Sequence, residues 1–179
     1  MKPTITSSEF IHQNPWWQLR HDALIWPNQK QGDYYVVELR PAALIIAEDT
    51  NGNLLITTQY RHPVGRELMQ FPMGLAEEGE DALAAAQREL REETGCVADE
   101  WHTLGWLHRM PGIAQGTLDV FFARGSHESV QTDLEASEAG LTHRWISRED
   151  WDLALKNNQV TCSSTLAAWT LYLTKASSL

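Results

Sequence analysis

At 179 residues the chain can bury a sizeable core, and its formal net charge of −10 argues against a general affinity for nucleic acid or for an anionic membrane. The 2 cysteines, Cys96 and Cys162, make neither a disulfide framework nor a metal-ligand pair, and Cys96 reads as a buried packing residue. The opening MKPTITSSEFIHQ has no apolar signal core and no apolar run reaches membrane length, so a reducing cytoplasm is the expected location.

In chain order, the first dozen residues read as a loose arm. Trp17 to Trp26 and Asp33 to Leu39 read as strands, joined by a turn near Pro27–Gly32. Ala42 to Glu48 and Leu54 to Tyr60 form a second pair, with Asp49-Thr50-Asn51-Gly52 as a hairpin signal. Glu67 to Phe71 is a short strand. Asp81 to Thr94, rich in Ala, Leu, Glu, Arg and Gln, is a helix by propensity. Its expected apolar stripe is Leu83, Ala86 and Leu90. Asp81 complements its positive end, and Gly95 supplies the left-handed cap that stops it. Trp101 to His108 and Thr117 to Ala123 are strand candidates, and residues 125–140 form a polar, acidic loop. Thr142 to Ile146 is a last strand. Ser147-Arg148-Glu149-Asp150 resembles a capping box for a helix to about Lys156. Ser164 to Lys175 is a closing helix with Leu166, Trp169 and Leu173 as its stripe. Strands mixed with a few helices give an α/β class.

The helix carries the chemistry. Glu89, Glu92 and Glu93 stand at i, i+3 and i+4, so they crowd one side. Like charges so placed repel by roughly 0.2–0.5 kcal/mol per pair on an exposed helix. A hard divalent cation with oxygen ligands would offset that repulsion. Arg88, four residues before Glu92, can pair with it. The bland alternative is a solvated acidic helix. Against it stands the whole order: Gly74, Gly79, Glu80, then Arg88-Glu89-Leu90-Arg91-Glu92-Glu93-Thr94-Gly95.

That order resembles the motif of the Nudix hydrolases. The resemblance implies an α/β/α sandwich with a mixed sheet, in which a loop–helix–loop holds Mg²⁺ or Mn²⁺ against a diphosphate. Carried over by position, it implies Glu89 and Glu93 as metal ligands, with Glu92 as a further ligand or a support for one. Glu80 becomes an outer contributor, Arg88 orients the carboxylates, and the Met73 carbonyl joins the ligands. Residues 1–40 then become an N-terminal arm and strands for dimerisation and base binding, and residues 41–179 the hydrolase domain.

Gln59-Tyr60-Arg61-His62-Pro63-Val64-Gly65-Arg66-Glu67, then Phe71-Pro72-Met73-Gly74, is similar to the ADP-ribose pyrophosphatase branch, as is the placing of Pro111. This implies metal-dependent cleavage of ADP-ribose or a related nucleoside diphosphate sugar, and a homodimer. Arg61 matches phosphate oxygens as a guanidinium fork, with a surface ion pair as its alternative. Arg66 is a weaker version of the same idea. The chain has 8 tryptophans. Most should be core or interface, while Trp16, Trp17 or Trp26 could stack on a base. Two positions depart from the branch: Gln70, where a glutamate is usual, and Met73, where an alanine is. The branch's catalytic loop glutamate corresponds to Glu138 or Glu135, against the alternative of a solvated acidic loop. Two rival readings are a hydrolase of GDP-mannose or another nucleotide sugar, and a non-catalytic ADP-ribose sensor.

Overall fold

A computed structural model describes residues 1–129, 131–134 and 138–178. In chain order the strands are β1 (Thr4–Gln13), β2 (Trp17–Ile25), β3 (Gln31–Leu39), β4 (Ala42–Glu48), β5 (Leu54–Arg61), β6 (Arg66–Gln70), β7 (Met73–Leu75), β8 (Cys96–Val97), β9 (Glu100–His108), β10 (Ala114–Gln115), β11 (Thr117–Arg124), β12 (His127–Glu128) and β13 (Thr142–Ile146). The α-helices are α1 (Ala82–Thr94), α2 (Arg148–Lys156) and α3 (Ser163–Lys175). The chain divides into two compact units, Met1–Pro41 with Leu107–Leu118, and Ala42–Trp106 with Asp119–Leu179.

The first unit carries a sheet in the order β1-β2-β3-β10. The expected loose arm is a strand: β1 runs antiparallel to β2 from Thr4 opposite Ile25 to Gln13 opposite Gln18. Every residue of β1 is exposed, so no buried–exposed alternation marks it; the backbone ladder defines it, with side-chain bonds from Thr6 and Ser8 to Ala23 and Asp22 of β2. Asn14 starts the turn into β2, its side-chain oxygen accepting from the backbone N–H groups of Trp16 and Trp17.

The second unit is built on a seven-stranded sheet in the order β13-β5-β4-β11-β9, with β6 added to β5 and β7 to β4. β4 is central, and Ala42 to Ala47 are all buried. A strand covered on both faces reads as a continuous apolar run, as AALIIA does. Ala43, Ile45 and Ala47 share one face with Leu55, Phe121 and Ala123, and there they meet Ala85, Ala86 and Leu90 of α1. The opposite face is covered by α2 and α3 through rings. Phe71 packs on Trp151 and Trp169, and Tyr172 stacks on Trp169 and touches Phe122. The result is a sheet between helical layers, the expected α/β/α arrangement.

Two expected stripes shift. Leu83 is exposed, and α1 instead buries Ala85, Ala86, Glu89, Leu90, Glu93 and Thr94. Glu89 and Glu93 are thus inside the fold, while Glu92 stays partly exposed. In α3, Leu166 and Leu173 are exposed while Thr165, Ala168 and Trp169 are buried. That helix is apolar on most sides, so periodicity does not choose its face. The aromatic contacts do, aided by the Arg148 guanidinium lying over the Trp169 and Tyr172 rings.

Candidate active site

The site grows from the local rules that fix α1. Asp81 caps the helix, its Oδ1 accepting from the N–H groups of Leu83 and Ala84. Gly95, at φ 69°, ends it by donating its N–H to the Arg91 carbonyl. Between β7 and α1 the chain turns tightly, with the Glu77 N–H donating to Glu80 at 2.8 Å.

Arg88 ties this loop to the helix. Its Nε and Nη2 donate to the two carboxylate oxygens of Glu80 at 3.0 and 2.9 Å. Nη2 also reaches the Leu75 carbonyl at 2.9 Å. Nη1 donates to Glu89 at 2.8 Å and to Glu92 at 2.9 Å. The expected pair with Glu92 is therefore one strand of a larger knot. The paired guanidinium holds the Glu80 carboxyl below its usual range.

Two carboxylates lie deeper. Glu93 is 1% exposed and its Oε2 accepts from the Met73 N–H at 3.1 Å. Glu89 is 7% exposed and lies directly against Gly74. A Cβ at position 74 would fall 2.0 Å from the Glu89 carboxylate carbon, so the carboxylate occupies space that only a glycine leaves. Glu138 completes the group: Glu89, Glu93 and Glu138 each offer a ligand atom, all within 4.8 Å of one another. Glu92 stands outside this group, turned to Arg88. Glu135 lies outside the described residues.

Burial pushes the Glu93 carboxyl well above the usual carboxylate range, and the nearby Glu89 and Glu138 charges add to this. Burial likewise raises Glu89 to about 7, with Arg88 opposing and Glu138 and Glu92 adding. Three converging hard oxygens, two of them buried, match the preference of Mg²⁺ or Mn²⁺. The donor set therefore fits a divalent cation.

Beside the carboxylates runs a polar row on β5. Thr57, Gln59 and Arg61 alternate along the strand, and Gln70 of β6 stands opposite Thr57. The Arg61 Nε donates to the Gln70 side-chain oxygen at 3.2 Å. Arg61 also offsets part of the charge at Glu93.

Residues 38–164 match the model of the NUDIX domain, and residues 4–37 match that of the nucleoside diphosphate sugar hydrolase N-terminal domain. The chain belongs to the Nudix hydrolase family. It is 37% identical over 140 residues to an ADP-ribose pyrophosphatase of Mycobacterium tuberculosis, a match covering 78% of this chain and 68% of that one. It is 32% identical over 97 residues to an ADP-ribose pyrophosphatase of Bacillus subtilis, covering 54% of this chain and 52% of the relative. Among solved structures, an ADP compounds hydrolase shares the fold at a TM-score of 0.83 and 21% identity, over 96% of this chain and 92% of that one.

The remaining Nudix site candidates divide by unit. Arg66 is exposed on β6, and its Nη2 donates to the Thr161 hydroxyl at 2.8 Å. Trp16, Trp17, Trp26 and Pro111 belong to the other compact unit. There Trp16 and Trp17 are 57% and 37% exposed, and Trp17 lies 5.0 Å from the His12 ring. Trp26 is packed over Gly32 and meets Tyr34 edge-on. The sequence reading did not single out the bidentate grip of Arg88 on Glu80 or the polar row Thr57-Gln59-Arg61. The row has a readable signal: polar residues two apart, Thr57, Gln59 and Arg61, at the end of a strand that begins with the apolar run Leu54-Leu55-Ile56.

The raised carboxyls make metal-free stability depend on pH. As pH rises from about 4.5, the unfolded Glu89 loses its proton while the folded one keeps it until about 7. The unfolded state then binds fewer protons, so stability falls across that window and levels off above it. For Glu89 the loss is on the order of 3 kcal/mol. The metal-free Tm should drop between pH 5 and pH 8, and Mg²⁺ should raise Tm far more at pH 8 than at pH 5. An equal Mg²⁺ effect at both values would refute this.

Proposed function

We propose that the chain hydrolyses the diphosphate bond of ADP-ribose or a related nucleoside diphosphate sugar, using Mg²⁺ or Mn²⁺, to give a nucleoside monophosphate and a sugar phosphate. The observation that carries this reading is the convergence of Glu89, Glu93 and Glu138 on the Nudix helix and its facing loop. The ADP-ribose pyrophosphatase names of the relatives support the substrate class.

In this reading Glu89 and Glu93 hold the cation, with the Met73 carbonyl beside them and Glu92 behind, steadied by Arg88. Bound there, the cation supplies Lewis-acid neutralisation of diphosphate charge. Arg61 binds the diphosphate by its guanidinium fork. Glu138 orients a water molecule and accepts its proton as the water oxygen attacks phosphorus. The bridging P–O bond breaks, and its electrons leave with the departing phosphate. With ADP-ribose the products are AMP and ribose 5-phosphate. Burial of the site keeps bulk water from screening these charges.

Phosphate release from a panel of nucleotide sugars, with Mg²⁺ and a coupled phosphatase, tests the reading. ADP-ribose is expected to rank first. Preferred turnover of GDP-mannose would move the substrate within the same chemistry, and ADP-ribose binding without turnover would make the chain a sensor.

The N-terminal unit presents Ile5, Phe10, Ile11, Trp16, Tyr34 and Tyr35, all exposed. Exposed aromatic and apolar side chains on one small unit favour an interface. The proposal is a homodimer formed through this unit, whose tryptophans also serve the base. Light scattering should give twice the chain mass at micromolar concentration; a monomer would count against the pairing. No helix among the described residues is long and apolar enough to cross a membrane, and the cytoplasm is the proposed location.

A further inference from the structure

We infer that Gln70 is a positioning residue that aims Arg61 at the diphosphate while leaving its positive charge uncancelled. This rests on the reading of Arg61 as the diphosphate clamp.

Gln70 is 1% exposed, a long polar side chain buried where a leucine would pack at less cost. Its backbone is pinned. The Thr57 hydroxyl donates to the Gln70 carbonyl at 3.3 Å, and the next residue, Phe71, donates its N–H to the Thr165 hydroxyl at 3.2 Å. The side-chain Oε1 accepts from Arg61 Nε at 3.2 Å. The Nε2 amide has no hydrogen-bond partner among the described residues. A residue kept only for stability gains little from an amide half satisfied in the interior. Among the described residues its side chain makes one hydrogen bond, to Arg61.

That bond has a directional consequence. A guanidinium is planar, with its donors in a rigid fork. Engaging Nε on one edge fixes the plane and leaves the Nη1–Nη2 edge for an anion, the pairing that suits two phosphate oxygens. The choice of a neutral acceptor matters equally. A carboxylate here would accept the same hydrogen bond but would pair with Arg61 and lower the positive potential that an incoming diphosphate meets. It would also add a further negative charge to a unit that already buries Glu89 and Glu93. Glutamine supplies the geometry without the charge.

The test is steady-state kinetics with ADP-ribose, or the fastest substrate of the panel, at saturating Mg²⁺. Arg61→Ala is measured first and should raise KM. An unchanged KM there would remove the clamp, and the role of Gln70 with it. Gln70→Leu should then raise KM about tenfold, the scale of one lost hydrogen bond to a charged group. Its kcat should stay within about threefold, because the interaction serves binding. Gln70→Glu, nearly isosteric, should also raise KM, because it neutralises the cation it orients. The double variant Arg61→Ala/Gln70→Leu should show the KM of Arg61→Ala alone, since Gln70 acts through that side chain. Additive losses in the double variant would overturn the inference, as would a wild-type KM in Gln70→Leu. If Gln70→Leu does not fold, Gln70→Glu decides: a raised KM supports the role and a wild-type KM ends it.

Discussion

Glu93→Gln is expected to lower kcat by on the order of 10²-fold or more while the fold is retained. Glu93 is the most buried of the three clustered carboxylates, and its charge is opposed by burial and by Glu89 and Glu138. A neutral amide of the same shape keeps an oxygen for the Met73 N–H but removes the anion. The metal-free variant should be at least as stable as the native protein at pH 8, because a buried like-charge repulsion is gone. The rise in Tm on adding Mg²⁺ should shrink or vanish. Catalysis thus falls while metal-free stability is kept or gained, from one substitution, which a simple loss of folding cannot imitate. Near-native turnover at saturating Mg²⁺ would end the assignment.

Glu138→Gln should lower kcat by about 10²–10⁴-fold with little change in KM. Its ligand atom lies within 4.8 Å of those of Glu89 and Glu93, so it is placed to meet a water at the same centre. Its role arises as the proton leaves that water, and substrate affinity is set elsewhere. Glu135→Gln is the control and should be mild. Reversed effects would transfer the role to Glu135. If both variants stay active, the loop is not catalytic, and proton removal falls to the helix carboxylates alone.

Legibility in the sequence followed the strength of local rules. The spacing of Glu89 and Glu93 puts them on one helix face, and the structure brings their oxygens together. The capping residues Asp81 and Ser147 and the run AALIIA specify α1, α2 and β4 because each is a local signal with a single outcome. β1 is invisible to such reading: its partner ladder is non-local and none of its side chains is buried. Leu83 shows the limit of propensity. The helix turns its glutamates inward at the expense of a leucine, a choice set by Arg88, Gly74 and Met73 rather than by hydrophobicity. Glu138 lies 45 residues beyond Glu93, in a loop whose closure no periodicity encodes.

The contact between Gly74 and Glu89 bears on how this scaffold can diversify. The wall facing Glu89 is bare backbone, and no side chain fits there without displacing the carboxylate. Position 74 is therefore closed to mutation as a means of tuning preference. The carboxylate cluster is fixed on that side by backbone, so a change of preferred base or sugar must come from residues elsewhere. A library aimed at new specificity should hold Gly74, Arg61, Gln70, Arg88 and the helix fixed and vary positions outside them.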